Sequence, residues 1–234
     1  MKKLMLLLFC LPTFVLGQKD TDFEISEEPL NIVSWNLRYF PFSRKTPTYV
    51  SDIIINNRFE IIAFQEIKNK KKFEELLSLL PNYSGYRANP DEVTNPNNLA
   101  LAYLFNSSVN ITKLYEIFTK DKSLFSRPPL VIEFIYNKEH FVIINTHLKA
   151  HGDGKLNTNN ERDSEYIRLR SLQKIKEFMD SFRNIKVILL GDFNDQLSDK
   201  KEDNVFIDFI EDKNYFLADL FIELGKKSNW SCPA

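Results

Sequence analysis

The chain has 234 residues, 43% hydrophobic and 27% charged, which excludes a disordered or fibrous chain and leaves room for one domain with a sizeable core. Twenty Phe against six Gly favour packed α/β layers over a Gly-rich all-β fold. A formal net charge of −1 lacks the basic excess usual in nucleic-acid-binding proteins, although a bound metal can supply positive charge where a phosphate sits.

Residues 1–17 read as a secretory signal peptide. Lys2 and Lys3 precede an apolar run over 4–16, and Gly17 offers a small residue for cleavage before the polar Gln18. The run is too short for a comfortable membrane span. Cleavage would take the net charge from −1 to −3 and leave Cys232 as the single cysteine, so no internal disulfide can form. The expected location is secreted or periplasmic, and the expected state a monomer. The other reading of this segment is a buried N-terminal strand or helix.

Residues 18–29 are a polar, acidic leader, and 30–234 form one domain without repeat or linker. Within it, strand and helix patterns alternate. Strands are expected at 30–36, 61–65, 99–105, 130–136, 141–147 and 187–190. Helices are expected at 49–59, 73–80, 161–182 and 205–210. Four strands end on a residue capable of chemistry: Asn36, Glu66, His147 and Asp192. Strand ends gathered at one edge are where α/β proteins place their sites.

Glu66 and Asp192 each follow a buried apolar run. A carboxylate there is costly unless it meets a cation or a hydrogen-bond donor. With the amides of Asn36 and Asn194, they form an oxygen-rich set suited to Mg²⁺, with Mn²⁺ or Ca²⁺ as further options. A lone Asp or Glu after a strand is otherwise a helix cap or turn residue. His147 can accept a proton or bond a phosphate; its plainer role is a histidine satisfied by a backbone carbonyl. His151 lies four residues on, but Leu148 and two nearby glycines argue against a zinc site. His140 precedes a strand and is expected to face solvent. Lys68, Lys70, Lys71 and Lys72 either grip phosphates or form a solvated first helical turn. Arg127, held before Pro128 and Pro129, suits bidentate phosphate contact.

The blocks IVSWNLR, IIAFQEIK, FSRPPLVIEF, IINTHLKA and LLGDFND, in that order, resemble the deoxyribonuclease I-like endonuclease/exonuclease/phosphatase superfamily, in particular its exported bacterial branch. The resemblance spans about 30–231 and implies a four-layer α/β/β/α sandwich. It implies that Glu66, helped by Asn36, binds a divalent metal. It also implies that His147 contacts the scissile phosphate or shares in proton transfer. Asp192 would orient or deprotonate the attacking water, while Asn194 holds a phosphate oxygen and Arg127 holds the substrate backbone. The implied function is a nuclease acting on DNA or RNA. The alternatives are a phosphoesterase on a lipid or inositol phosphate, and an inactive phosphate- or nucleic-acid-binding remnant. Two departures stand out. Leu99 and Ala100 occupy the region where the nuclease branch carries a carboxylate for the histidine. No His follows His151, so the closing Asp-His pair of the family, and the last strand or strands with it, are expected to be missing and activity to be impaired.

Overall fold

The computed structural model describes residues 3–5, 29–89 and 97–217. Residues 18–28 of the polar leader and the stretch from 218 onward lie outside the described residues, as does most of the segment read as a signal peptide. The described elements, in chain order, are β1 Lys3–Met5, β2 Ile32–Phe40, α1 Thr46–Asn57, β3 Ile61–Ile67, α2 Lys70–Ser78, β4 Tyr83–Arg87, β5 Ala100–Asn106, β6 Asn110–Glu116, β7 Leu130–Tyr136, β8 Glu139–His147, α3 Ser164–Asp180, β9 Lys186–Asp192, α4 Ile207–Ile210 and β10 Tyr215–Leu217.

Side-chain alternation builds the layers. In β3, Ile61 and Ala63 face the second sheet, whereas Ile62 and Phe64 face helices α1 and α2. The same alternation in β9 turns Ile188 and Leu190 between the sheets and Val187 and Leu189 toward α3. Three apolar cores therefore separate four layers. Val50 and Ile54 of α1 and Phe73 and Leu76 of α2 pack on the small sheet. Leu169, Leu172 and Ile175 of α3 pack on the large one, with Phe209 of α4. The architecture is the α/β/β/α sandwich.

The small sheet has the order β2-β3-β5-β4 and the large sheet β10-β1-β9-β8-β7-β6. β2 runs parallel to β3, and β8 parallel to β9, so the C-terminal ends of these strands share an edge in each sheet. Helix starts follow local chemistry. Asn69 caps α2 by accepting from Lys72 N at 3.0 Å, and Asp163 caps α3 by accepting from Tyr166 N at 2.8 Å. That cap sets the start of α3 at Ser164, three residues later than periodicity suggests. The backbone of Lys3–Met5 pairs in parallel with both β9 and β10. These three residues lie within the segment read as a signal peptide. Among the described residues, no helix is long and apolar enough to cross a membrane.

A buried polar bridge joins the sheets. Gln65 of β3 donates through Nε2 to Asn145 Oδ1 of β8 at 2.7 Å and to Ser34 Oγ at 3.2 Å. Asn145 Nδ2 donates back to Phe64 O at 3.0 Å and Ala102 O at 3.2 Å. Both side chains are fully enclosed. In the low polarity of the interior, such bonds fix one sheet-to-sheet register, because any other would leave buried amides unpaired.

Candidate active site

The edge shared by the ends of β2, β3, β8 and β9 lies next to this bridge. Two irregularities there aim side chains outward. The β2–β3 register shifts between Asn36 and Phe40, and the β3–β5 register shifts between Phe64 and Ile67. Glu66 sits inside the second shift with φ of 63°, and Arg38 and Tyr39 in the first have φ of 39° and 57°. Bulges of this kind redirect side chains next to functional sites, and left-handed backbone at non-Gly residues costs about 1–3 kcal/mol each.

Asn36 links the two sheets. Its Nδ2 donates to Glu66 Oε1 at 3.1 Å and to Asp192 Oδ2 at 2.7 Å. Its Oδ1 accepts from Arg38 N at 2.8 Å, and Glu66 Oε2 accepts from Tyr39 N at 2.9 Å. One amide thus spaces two carboxylates that would otherwise repel. To serve as a metal ligand, Asn36 would have to turn its amide over and present Oδ1.

His147 and Asp192 are register partners across β8 and β9, with Nε2 to Oδ2 at 3.8 Å. Their approach depends on Gly191, which pairs with Thr146 at φ 143°; a Cβ there would meet Thr146 O at 1.9 Å. His147 is 7% exposed, and its Nδ1 has no hydrogen-bond partner among the described residues. Leu99 and Ala100, where the resemblance would look for its carboxylate, are buried and apolar. Burial, reinforced by the positive Arg127 and only partly opposed by Asp192, lowers the imidazole pKa to about 4. The ring is neutral at pH 7.

Arg127 donates to His147 O at 3.3 Å and Leu148 O at 3.2 Å. Burial draws its guanidinium below the usual range, while Glu66 and Asp192 act in the opposite direction. Asn194, at φ 52°, donates through its backbone N–H to Asp192 Oδ1 at 3.1 Å and through Nδ2 to Leu148 O at 3.2 Å. A cleft of about 320 Å³, lined in part by Ser126, Arg127, His147 and Lys149, opens beside this group.

All six residues singled out from the sequence meet here. The other candidates do not join them. His140 is exposed at the start of β8. Among the described residues, Asp153, Asp163 and Glu165 form a group of three acidic side chains close enough to share an ion, and it contains neither His147 nor His151. Of the basic run, Lys70–Lys72 open α2, where Lys72 pairs with Glu75, while Lys68 lies over the Tyr39 ring at 5.5 Å. Sequence reasoning missed Gln65, Asn145 and Arg168. Arg168 is fully buried in α3 and grips the turn after Asp192 by donating to Asp195 Oδ2 at 2.7 Å. Their signal was an uncharged amide inside an apolar strand and an Arg on the buried face of a helix.

Compared with known families, residues 33–230 match the endonuclease/exonuclease/phosphatase family. The chain belongs to that family. Among solved structures, it resembles the human Nocturnin catalytic domain with bound sulfate, at 17% identity and TM-score 0.61 over 88% of this chain and 76% of that one. It resembles a humanized D. rerio TDP2 at 15% identity and TM-score 0.58 over 71% of this chain and 67% of that one. It also resembles the Bacteroides thetaiotaomicron mannosyl-6-phosphatase Bt3783 at 15% identity and TM-score 0.55 over 77% of this chain and 70% of that one. At such identities the likeness concerns the fold. The chain spans 61% of a D. rerio TDP2 solved with a single-strand DNA product and 49% of a C. elegans TDP2. No curated protein matches it in sequence.

Proposed function

We propose that the chain is a divalent-metal-dependent hydrolase of phosphodiesters, exported from the cell and acting on nucleic acid. The observation that carries this reading is the meeting of Glu66 and Asp192 around one amide, with His147, Arg127 and Asn194 alongside.

The donor set fits a hard cation. Glu66 offers carboxylate oxygens on a partly exposed bulge, and among the described residues its polar neighbours are oxygen and nitrogen groups. Glu66 would hold Mg²⁺, or Mn²⁺ or Ca²⁺ in its place, with Asn36 as the second ligand after its amide turns. When bound, the cation supplies Lewis-acid polarisation of a phosphoryl oxygen. Asp192, held through Oδ1 by the Asn194 N–H, directs Oδ2 toward the reacting region and takes the proton of the attacking water. The water oxygen bonds to phosphorus as the ester oxygen leaves on the opposite side with the P–O electron pair and takes a proton from solvent water. Neutral His147 and the amide of Asn194 hydrogen-bond the non-bridging oxygens, and Arg127 supplies the fixed positive charge behind them.

Tyr39 supports nucleic acid over other phosphoesters. The residue is 46% exposed, its backbone N–H bonds Glu66, and Lys68 lies over its ring. An aromatic face next to a cation suits a stacked base and its phosphate. A neighbouring fold solved with a single-strand DNA product is consistent with this reading.

The test is cleavage of supercoiled plasmid and single-stranded oligonucleotide with MgCl₂. Expected is cleavage that EDTA removes and that Glu66→Ala lowers by roughly 100-fold or more. Cleavage indifferent to Glu66→Ala would overturn the site. Turnover of inositol phosphates or lipids with nucleic acid untouched would replace the substrate. Export is tested by N-terminal sequencing of protein recovered outside the cytoplasm. A start at Gln18 is expected; an intact N-terminus, with Lys3–Met5 kept between β9 and β10, would overturn it.

A further inference from the structure

The segment joining β8 to α3 folds back on α3 through one carboxylate. Glu165 is 2% exposed. Its Oε1 accepts from Gly152 N, Gly154 N and Arg168 Nη2, each at 3.0 Å. Its Oε2 is equally buried and has no partner among the described residues. A carboxylate oxygen left bare in the interior costs on the order of 1–3 kcal/mol unless something meets it.

Two more carboxylates gather around the same side chain. One ligand oxygen each from Asp153, Asp163 and Glu165 lies within 4.8 Å of the others. Asp153 uses Oδ1 on Lys155 N at 3.0 Å, and Asp163 uses Oδ1 on Tyr166 N at 2.8 Å. Each keeps a second oxygen. Gly152 holds the space before Oε2 open, since a Cβ there would come within 2.5 Å of that atom.

We propose that Asp153, Asp163 and Glu165 form a second, structural cation site, separate from the catalytic edge, with a preference for calcium. The chemistry is oxygen-only and anionic. Calcium bonds oxygen at about 2.3–2.6 Å and accepts a flexible set of six to eight oxygens, so three carboxylate oxygens within 4.8 Å of one another can share it with water. Magnesium demands a near-ideal octahedron that a loop and a helix start are less suited to build. The cation meets the bare Oε2, relieves repulsion among three carboxylates and ties a long loop to α3. The benefit extends to the reaction centre through Arg168. That side chain donates to Lys149 O and Ala150 O at 3.1 and 3.0 Å as well as to Glu165 and Asp195. It thus joins the exit of β8, just after His147, to the turn carrying Asp192 and Asn194.

The test uses the full chain and calcium chloride alone, and does not depend on the proposed hydrolysis. Thermal melts and calorimetric titration are run on the wild type, Glu66→Ala, Asp153→Asn and Asp163→Asn. Asn at 163 retains the helix cap, and Asp153 is exposed, so both variants should fold. Expected is a Tm rise of roughly 5 °C at saturating calcium in the wild type and in Glu66→Ala. The rise should be lost, with calcium affinity down at least about tenfold, in Asp153→Asn and Asp163→Asn. No calcium-dependent rise in the wild type would overturn the site. So would a rise lost in Glu66→Ala but kept in Asp153→Asn, which would assign the ion to the catalytic edge.

Discussion

Asn145 and His147 stand two residues apart on one strand, on the same face, both almost wholly enclosed. Their surroundings differ in kind. Every polar atom of the Asn145 side chain is matched, to Gln65, Phe64 and Ala102. His147 has a bare Nδ1 and faces a carboxylate 3.8 Å away, beyond hydrogen-bond reach. One residue fixes the distance between the sheets; the other stands unsatisfied at the edge that this distance creates. A buried polar side chain with all partners present belongs to the fold, and one kept short of partners is available for chemistry.

Three changes would break or sharpen this contrast. The largest effect is expected from Gly191→Ala, which sets a methyl group 1.9 Å from Thr146 O, between the two positions. It should cost about 4 kcal/mol or more in denaturant unfolding, since neither backbone can yield without parting β8 from β9. A cost below about 1 kcal/mol would show that the strand pair is not held as described.

Next comes Asn145→Leu. It removes one partner from Gln65, which keeps Ser34, and one each from two backbone carbonyls inside the core, and should lower stability by about 3 kcal/mol. Turnover of the molecules that remain folded should be little changed. A selective loss of turnover at full stability would place Asn145 in the reaction instead.

The third concerns His147 and acid. Its folded pKa of about 4 lies below the ordinary 6.5, so the unfolded chain binds the proton first as pH falls. The stability this group contributes is complete above about pH 6.5 and is lost as pH drops toward 4, on the order of 3 kcal/mol. His147→Asn should flatten that part of the stability–pH curve with little change at neutral pH, and should lower turnover by roughly 100-fold. An unchanged pH profile would show that the imidazole is not held neutral by its surroundings.

Much of this was legible in the sequence because apolar runs ending in Asn36, Glu66, His147 and Asp192 combine a buried-strand signal with a chemical one. Two edge strands were not legible. β6, with NITKLYE, and β4, with YSGYR, have one exposed flank and no continuous apolar pattern. β10 is only three residues long. Gln65 was read as part of a strand, but its partner lies 80 residues away, and no local pattern announces a hydrogen bond at that separation. The acidic group at Asp153, Asp163 and Glu165 was hidden likewise, because a loop and a helix start bring it together.

The left-handed backbone of Glu66 carries a longer consequence. Its carboxylate is aimed by the main chain, at a position where the fold by itself would favour glycine. The form of this protein equipped for chemistry is therefore not its most durable form. A glycine in its place would relax that backbone and add robustness while removing the carboxylate.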